Sequence, residues 1–159
     1  MDKPRRPNSV VNDRLYVAQN IDVIRVSPPF KCFRPKSAVQ YEPFCDDFGP
    51  VNMYCVADFI KSLDWNFDSY PDSKIIFCVE KGGRNLTNAV FLLGAYMVLK
   101  ENLTSDEVAE CFESLDESMF EAYRDATYSE PDFGLRLIDC WKGLEKGEAA
   151  GMGSSILVR

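Results

Sequence analysis

Histidine is absent from all 159 residues of this chain. It is the most common general base in enzymes and the most common ligand of zinc in proteins. Its absence excludes Ser-His-Asp hydrolases, Cys-His hydrolases and metalloenzymes that bind their metal through histidine. We expect neither a cofactor nor a bound metal.

Basic side chains are scarce relative to acidic ones. Eighteen Lys and Arg residues face 25 Asp and Glu residues, which leaves a formal net charge of -7. This is the wrong sign for neutralising a phosphate backbone, so we expect no nucleic-acid partner. The acidic run from Asp106 to Glu117 is most simply the solvated face of a helix and its exit.

A long hydrophobic run is also missing. The longest, residues 89–99, is about half of the roughly 20 residues that a membrane-spanning helix needs. The basic residues Lys3, Arg5 and Arg6 are followed by no apolar segment of the kind found in signal peptides. We therefore expect no membrane contact.

The six cysteines include no C-x-x-C pair. A chain of this length, with 46% hydrophobic residues, can form a core without disulfide bonds. We expect reduced thiols and an intracellular location, in the cytoplasm, the nucleus or both.

Strand and helix patterns alternate along the chain. Strands are predicted at residues 14–18, 30–33 and 74–79, and helices at residues 51–63, after the turn that ends near Arg84, at 104–115 and at 132–146, with Gly147 as the stop. This order predicts one α/β domain with a largely parallel sheet flanked by helices. We assign residues 1–9 to a disordered tail, 10–148 to the domain and 149–159 to a flexible C-terminal segment.

The turn after the third predicted strand has candidate chemistry. A turn between a strand and a helix N-terminus directs backbone N–H groups into a concavity that favours an anion. Cys78 stands at its start, where a thiolate would be stabilised, and Arg84 at its end, where a guanidinium could bind two phosphate oxygens. The two form a C-x5-R motif.

This motif resembles that of the cysteine-dependent protein tyrosine and dual-specificity phosphatases. The resemblance implies that Cys78 attacks phosphorus, that Arg84 stabilises the transferring group and that Asp47 protonates the leaving oxygen, with Asp46 as the substitute acid. It also implies a phosphate loop formed by Val79, Glu80, Lys81, Gly82, Gly83 and Asn85.

Four substitutions in this motif argue against catalysis. Phe77 replaces a histidine of active members, and Asn85 replaces their serine or threonine. Glu80 places a carboxylate on the turn, and Lys81 takes the place of a glycine. Together these changes weaken both the nucleophile and the anion-binding turn.

Five further blocks of residues match a narrower pattern, in order along the chain: Asp13-Arg14-Leu15-Tyr16, Asp47-Phe48-Gly49-Pro50 with Asn52, the run from Asn88 to Tyr96, Tyr123-Arg124-Asp125-Ala126, and Leu137-Ile138-Asp139-Cys140 with Gly143, Lys146 and Gly147. They resemble the N-terminal domain of the cell-division-cycle-fourteen-type dual-specificity phosphatases. The resemblance covers residues 10–148. In that family the first of two phosphatase-like domains is not catalytic; it packs on the catalytic domain and forms part of the substrate groove.

Two functions follow from the resemblance. The first is a catalytically silent scaffold, a pseudophosphatase whose partners are a phosphatase catalytic domain, on the same or a separate chain, and phosphoprotein substrates. The second is a weakly active phosphatase that uses Cys78, Arg84 and Asp47. We expect residues 149–159 to contain neither the family linker nor the catalytic domain.

Each candidate residue also has a simpler interpretation. Cys78 is then a small buried side chain at the end of a core strand. Arg84 then caps the turn or forms an ion pair with Glu80 or Asp47. Asp47 is then a turn residue in a Gly-Pro loop.

Overall fold

The structure is a computed structural model, and it describes residues 8–11, 14–19, 30–35, 48–113, 115, 120–124 and 136–149. Its elements in chain order are β1 (Asn8–Val11), β2 (Leu15–Gln19), β3 (Phe30–Phe33), α1 (Met53–Ser69), β4 (Lys74–Val79), α2 (Gly83–Leu99), α3 (Ser105–Cys111) and α4 (Leu137–Ala149).

The sheet has the strand order β1-β2-β4-β3. Strand β4 is parallel to both of its neighbours, β2 and β3, whereas β1 is antiparallel to β2. The predicted α/β class with a largely parallel sheet is therefore confirmed. Strand β1 begins at Asn8, inside the segment that the sequence analysis assigns to the tail.

Strand β4 lies at the centre of the fold because it is apolar from Ile75 to Val79. From Ile75 to Val79 every residue of β4 is buried. In the parallel register, Val17 lies beside Phe77 on one side and Phe33 lies beside it on the other. These residues share a face of the sheet and join the hydrophobic core with the buried residues of α1 and α2.

Helices α1 and α2 flank β4 in sequence. The side chain of Asn52 accepts a hydrogen bond from Cys55 N (3.0 Å) and so caps the N-terminus of α1. Helix α1 continues to Ser69, past the predicted end at residue 63. Helix α2 is buried from Leu86 to Leu99, in agreement with its apolar sequence.

Helix α3 begins with the predicted capping box. Thr104 Oγ1 accepts from Glu107 N (3.2 Å), and the Glu107 carboxylate accepts from Thr104 N (2.8 Å). The helix ends at Cys111 rather than continuing to residue 115. Helix α4 passes through Gly147 to Ala149, so the prediction that Gly147 stops this helix is wrong.

We expect Thr104→Ala to lower the free energy of unfolding by about 1 kcal/mol, because a backbone donor of α3 loses its acceptor. Thr104→Ser keeps the hydroxyl and serves as the matched control. Urea denaturation measures both effects. A Thr104→Ala protein as stable as the serine variant would contradict this role of the capping box.

Helix α4 packs on α2 through a close contact between Trp141 and Gly94. Trp141 is buried, and its Nε1 donates to the carbonyl oxygen of Phe91 (3.2 Å). A Cβ atom added at Gly94 would overlap the indole ring. The glycine is therefore required by the close approach of the two helices.

No helix in the described part of the chain has the length and apolar character needed to span a membrane. Within the same described ranges, no cluster of three or more Cys, Asp or Glu side chains is arranged to hold a metal ion.

Candidate functional site

The residues of the C-x5-R motif lie where the sequence analysis places them, at the junction of β4 and α2. Cys78 is the second-last residue of β4, and Arg84 is the second residue of α2. The intervening turn contains Gly82, whose φ of +113° is rarely adopted by residues that carry a Cβ atom. The strand-turn-helix arrangement of the motif is thus present.

Cys78 forms a disulfide with Cys32 of the neighbouring strand β3. The expectation of reduced thiols is wrong for these two cysteines. The reason lies in the register: Cys32 pairs with Ile76, so Cys78 lies two residues further along β4 and on the same face of the sheet. Their Cα atoms are 6.3 Å apart, within the usual range for a disulfide.

Arg84 forms an ion pair with Glu121, with 2.7 Å between Nε and the carboxylate. Its guanidinium also lies over the ring of Phe48, 5.0 Å from the centroid. Arg84 therefore forms an ion pair, as the simpler interpretation expects, but it does so with Glu121, which is neither of the expected partners, Glu80 and Asp47. The sequence gives no signal for Glu121, because it lies 37 residues away from Arg84.

Phe77, for which the resemblance implies a histidine in active phosphatases, belongs to an aromatic cluster with Phe33 and Phe59. The ring centroid of Phe77 lies 5.8 Å from that of Phe33 and 5.1 Å from that of Phe59. Phe77 is almost fully buried. A hydrophobic ring at this position therefore serves packing beneath the turn.

Two amide side chains from neighbouring elements bind the backbone of the turn. Asn85 Nδ2 donates to the carbonyl oxygen of Lys81 (2.8 Å). Gln19 Nε2, at the end of β2, lies 2.9 Å from the carbonyl oxygen of Glu80 and 3.0 Å from that of Gly82. Gln19 was not among the predicted site residues, since its proximity to the turn depends on β2 lying beside β4.

A buried hydrogen-bond chain fixes two loops beside the start of α2. Tyr123 donates its hydroxyl proton to Asn88 Oδ1 (2.8 Å), and Asn88 Nδ2 donates to the carbonyl oxygen of Gly49 (3.2 Å). Phe48 and Arg124 exchange backbone hydrogen bonds nearby, at 3.0 and 2.8 Å. Burial raises the pKa of Tyr123 above that of an exposed tyrosine, so its hydroxyl remains a donor across the neutral range.

Thr87 links α2 to the loop that contains Glu121 and Tyr123. Its hydroxyl donates to the carbonyl oxygen of Gly83 (2.8 Å) and accepts from the backbone N–H of Glu121 (3.1 Å). The loop that carries Glu121 is thus held against the first turn of α2. This explains why Glu121 is in position to pair with Arg84.

The remaining predicted site residues differ in their exposure and in their position along the turn. Glu80 and Lys81 are exposed on the turn, and Val79 is buried as the last residue of β4. Gly83 is the first residue of α2. The candidate acids Asp46 and Asp47 lie outside the described residues.

A groove of about 510 Å³ lies between the end of β3 and α1. It is formed by residues 32–35, at and just after the end of β3, and by α1 residues that include Asp58, Lys61 and Trp65. The residues that line it include none from Val79 to Arg84. Because Cys32 lines the groove and is bonded to Cys78, the groove adjoins the start of the C-x5-R motif.

We expect Glu121→Gln to lower the free energy of unfolding by less than about 1 kcal/mol. The ion pair is partly solvated, since the side chains of Arg84 and Glu121 are 32% and 48% exposed. Urea denaturation at low and high salt, with Glu110→Gln as a matched charge change, measures the effect. A larger loss that is insensitive to salt would contradict a solvated ion pair.

Comparison with known proteins gives a match over most of the chain. The family model described as "Dual specificity protein phosphatase, N-terminal half" matches residues 9–147. This range differs by one residue at each end from the domain assigned from the sequence.

Individual relatives agree with the family match. The chain is 30% identical over 139 residues to the dual specificity protein phosphatase CDC14A of Mus musculus and to that of Homo sapiens; the match covers 86% of this chain and 23% of each relative. It is also 30% identical over 122 residues to the tyrosine-protein phosphatase CDC14 of Saccharomyces cerevisiae, covering 72% of this chain and 22% of the relative. The chain thus spans about a quarter of the length of these relatives. It belongs to the family of N-terminal halves of dual specificity protein phosphatases.

Proposed function

We propose that this domain is a catalytically silent scaffold that packs on a phosphatase catalytic domain and helps to form the groove for phosphoprotein substrates. The observation that carries the proposal is that both ends of the C-x5-R motif bind other side chains. Cys78 is bonded to Cys32, and Arg84 is paired with Glu121. In this role the protein is a pseudophosphatase, located inside the cell in the cytoplasm, the nucleus or both.

The environment of Cys78 supports the proposal. A nucleophilic cysteine needs thiolate character, an electropositive surrounding and access to substrate. Cys78 is only 5% exposed, and its sulfur is part of a disulfide. Phe77 beside it offers no charge that would stabilise a thiolate.

The environment of Arg84 supports the proposal as well. In a phosphatase the guanidinium fork must be available to the transferring phosphoryl group. Here Glu121 accepts from Nε, and the ring of Phe48 lies against the guanidinium. A phosphate would have to compete with a carboxylate that is already in contact.

The turn backbone is held by internal hydrogen bonds. Gln19 contacts the carbonyl oxygens of Glu80 and Gly82, and Asn85 donates to that of Lys81. The carboxylate of Glu80 adds a like charge near any anion, although its exposure reduces the repulsion to about 1 kcal/mol at 4 Å in water. These hydrogen bonds engage carbonyl oxygens rather than the N–H groups that would bind an anion, so the case for silence rests on Cys78 and Arg84.

Exposed aromatic side chains on α1 favour a docking role. Tyr54 and Trp65 are 74% and 62% exposed and lie eleven residues apart, about three helical turns, which places them on one face of α1. Met53 beside Tyr54 is also exposed. Aromatic residues and methionine are enriched in the cores of protein interfaces.

A weakly active cysteine phosphatase is the second candidate. The observation in its favour is the intact C-x5-R spacing on a strand-turn-helix. In this function Cys78 is the nucleophile, Arg84 the phosphate ligand and Asp47 the acid. It requires a reduced Cys78 and an Arg84 that leaves Glu121.

A chimera tests the scaffold proposal. This chain would replace the N-terminal half of mouse CDC14A, and hydrolysis of a phosphopeptide would be compared with that by the remaining half alone. We expect the chimera to have the lower KM, because the scaffold supplies part of the substrate groove. An equal KM would contradict a role in substrate binding.

Variants of the chimera separate docking from chemistry. Trp65→Ala is expected to raise KM toward that of the half alone if α1 faces the partner domain. Cys78→Ser is expected to leave kcat unchanged, with Cys111→Ser as the matched control. A fall in kcat caused by Cys78→Ser alone would overturn the assignment of silence.

A further inference from the structure

The Cys32–Cys78 pair joins two strands whose hydrogen bonding already holds the sulfurs close together. Strands β3 and β4 pair in parallel from Phe30 to Phe33, and the two Cα atoms are 6.3 Å apart. No backbone movement is needed to make or break the bond at this separation. The pair can therefore exist in both redox states within one fold.

The two sulfurs differ in their environment. Cys78 is buried on the central strand, whereas Cys32 is partly exposed on β3. Thiol-disulfide exchange depends on which sulfur an incoming thiolate can reach. Cys32 is the accessible sulfur, and Cys78 is the sulfur that leaves.

We propose that Cys32 is a thiolation site through which a low-molecular-weight thiol reversibly opens the bond to Cys78. A thiolate attacks Cys32 Sγ, a mixed disulfide forms and the bond to Cys78 breaks; Cys78 leaves as a thiolate and takes a proton from solvent. A second thiolate attacks the sulfur of the small molecule in that mixed disulfide. It releases the small-molecule disulfide and a Cys32 thiolate.

The same steps run backward when the small-molecule disulfide is the oxidant. A Cys32 thiolate attacks it and releases one small-molecule thiolate. The Cys78 thiolate then attacks Cys32 Sγ, which closes the protein disulfide and releases the second small-molecule thiolate. This inference does not depend on the scaffold proposal, since it concerns only the chemistry of the two cysteines.

The remaining described cysteines provide an internal contrast. Cys55, Cys111 and Cys140 are free. Burial raises the pKa of each, to about 11 for Cys140. These thiols react slowly near neutral pH, because the thiolate is the reactive form.

Peptide mapping of the whole chain tests the proposal. Trypsin releases Cys32 in residues 32–36 and Cys78 in residues 75–81, each as the sole cysteine of its peptide. After oxidation with glutathione disulfide, we expect these two peptides to be cross-linked. Six free thiols under that condition would overturn the proposal.

The order of exchange is tested by brief treatment of the oxidised chain with reduced glutathione, followed by acid quenching and alkylation. We expect glutathione on residues 32–36 and the alkyl group on residues 75–81. Glutathione on residues 75–81 instead would overturn the assignment of Cys32 as the accessible sulfur.

Thermal unfolding gives a second readout. The bond closes a loop of 46 residues, so we expect the oxidised chain to melt about 10 °C above the reduced chain. Cys32→Ser is expected to abolish this difference, and Cys111→Ser to preserve it. A difference that survives Cys32→Ser would contradict the proposal.

Discussion

Gly94→Ala is expected to lower the free energy of unfolding by about 3 kcal/mol, the largest effect of any single methyl group that we foresee in this domain. The added Cβ atom would overlap the indole ring of Trp141. That ring cannot move aside easily, because it is buried, stacks on Phe112 and donates to the carbonyl oxygen of Phe91. Urea denaturation followed by circular dichroism measures the loss.

The matched control is Gly143→Ala in α4. No atom lies within 4 Å of a Cβ added at Gly143, and the residue is exposed. Here the substitution should raise stability by about 0.5–1 kcal/mol, because alanine has the higher helix propensity. Equal losses of unfolding free energy from Gly94→Ala and Gly143→Ala would contradict the packing argument at Gly94.

Asn88→Ala is expected to cost about 3 kcal/mol. Asn88 is buried and connects the Tyr123 hydroxyl to the Gly49 carbonyl. Removing its side chain leaves both groups without this partner, and an unsatisfied buried polar group costs about 1–3 kcal/mol. Chemical denaturation of purified protein is again the measurement.

A double-mutant cycle with Tyr123→Phe tests the coupling within this chain of hydrogen bonds. We expect the losses from Asn88→Ala and Tyr123→Phe to be less than additive, because the two variants remove the same hydrogen bond. Strict additivity would show that Asn88 and Tyr123 act independently, contrary to the observed contact.

Strands β3 and β4 were the most predictable elements, because their signals are local. The bounds of β3 and β4 agree with the expected residues 30–33 and 74–79. Strand β1 was missed because its only ordering signal is its pairing with β2, which the sequence of residues 8–11 does not contain. Helix α1 extends further than expected because Phe67 of its last turns packs against Tyr96 of α2.

The candidate site was predictable in outline but not in its contacts. The spacing of Cys78 and Arg84 placed them correctly on either side of the turn. Their partners, Cys32 and Glu121, lie 46 and 37 residues away in sequence. Such contacts depend on strand order and loop position, which local patterns do not encode.

These contacts affect how the family resemblance should be interpreted. A C-x5-R spacing by itself indicates where phosphate chemistry could occur. Chemistry also requires an accessible thiolate and a guanidinium that can bind the phosphoryl group. Here the side chains around the turn satisfy one another, which favours a domain retained for the surface that it presents.

Hydrolysis of a small aryl phosphate by the fully reduced chain tests the proposed silence most directly. Wild type would be compared with Cys78→Ser and Arg84→Ala, and reduction ensures that the bond to Cys32 does not hide an active thiol. Our account predicts the same background rate for all three proteins between pH 5 and pH 8. Turnover by the wild type that both substitutions abolish would make the domain an enzyme and contradict the account.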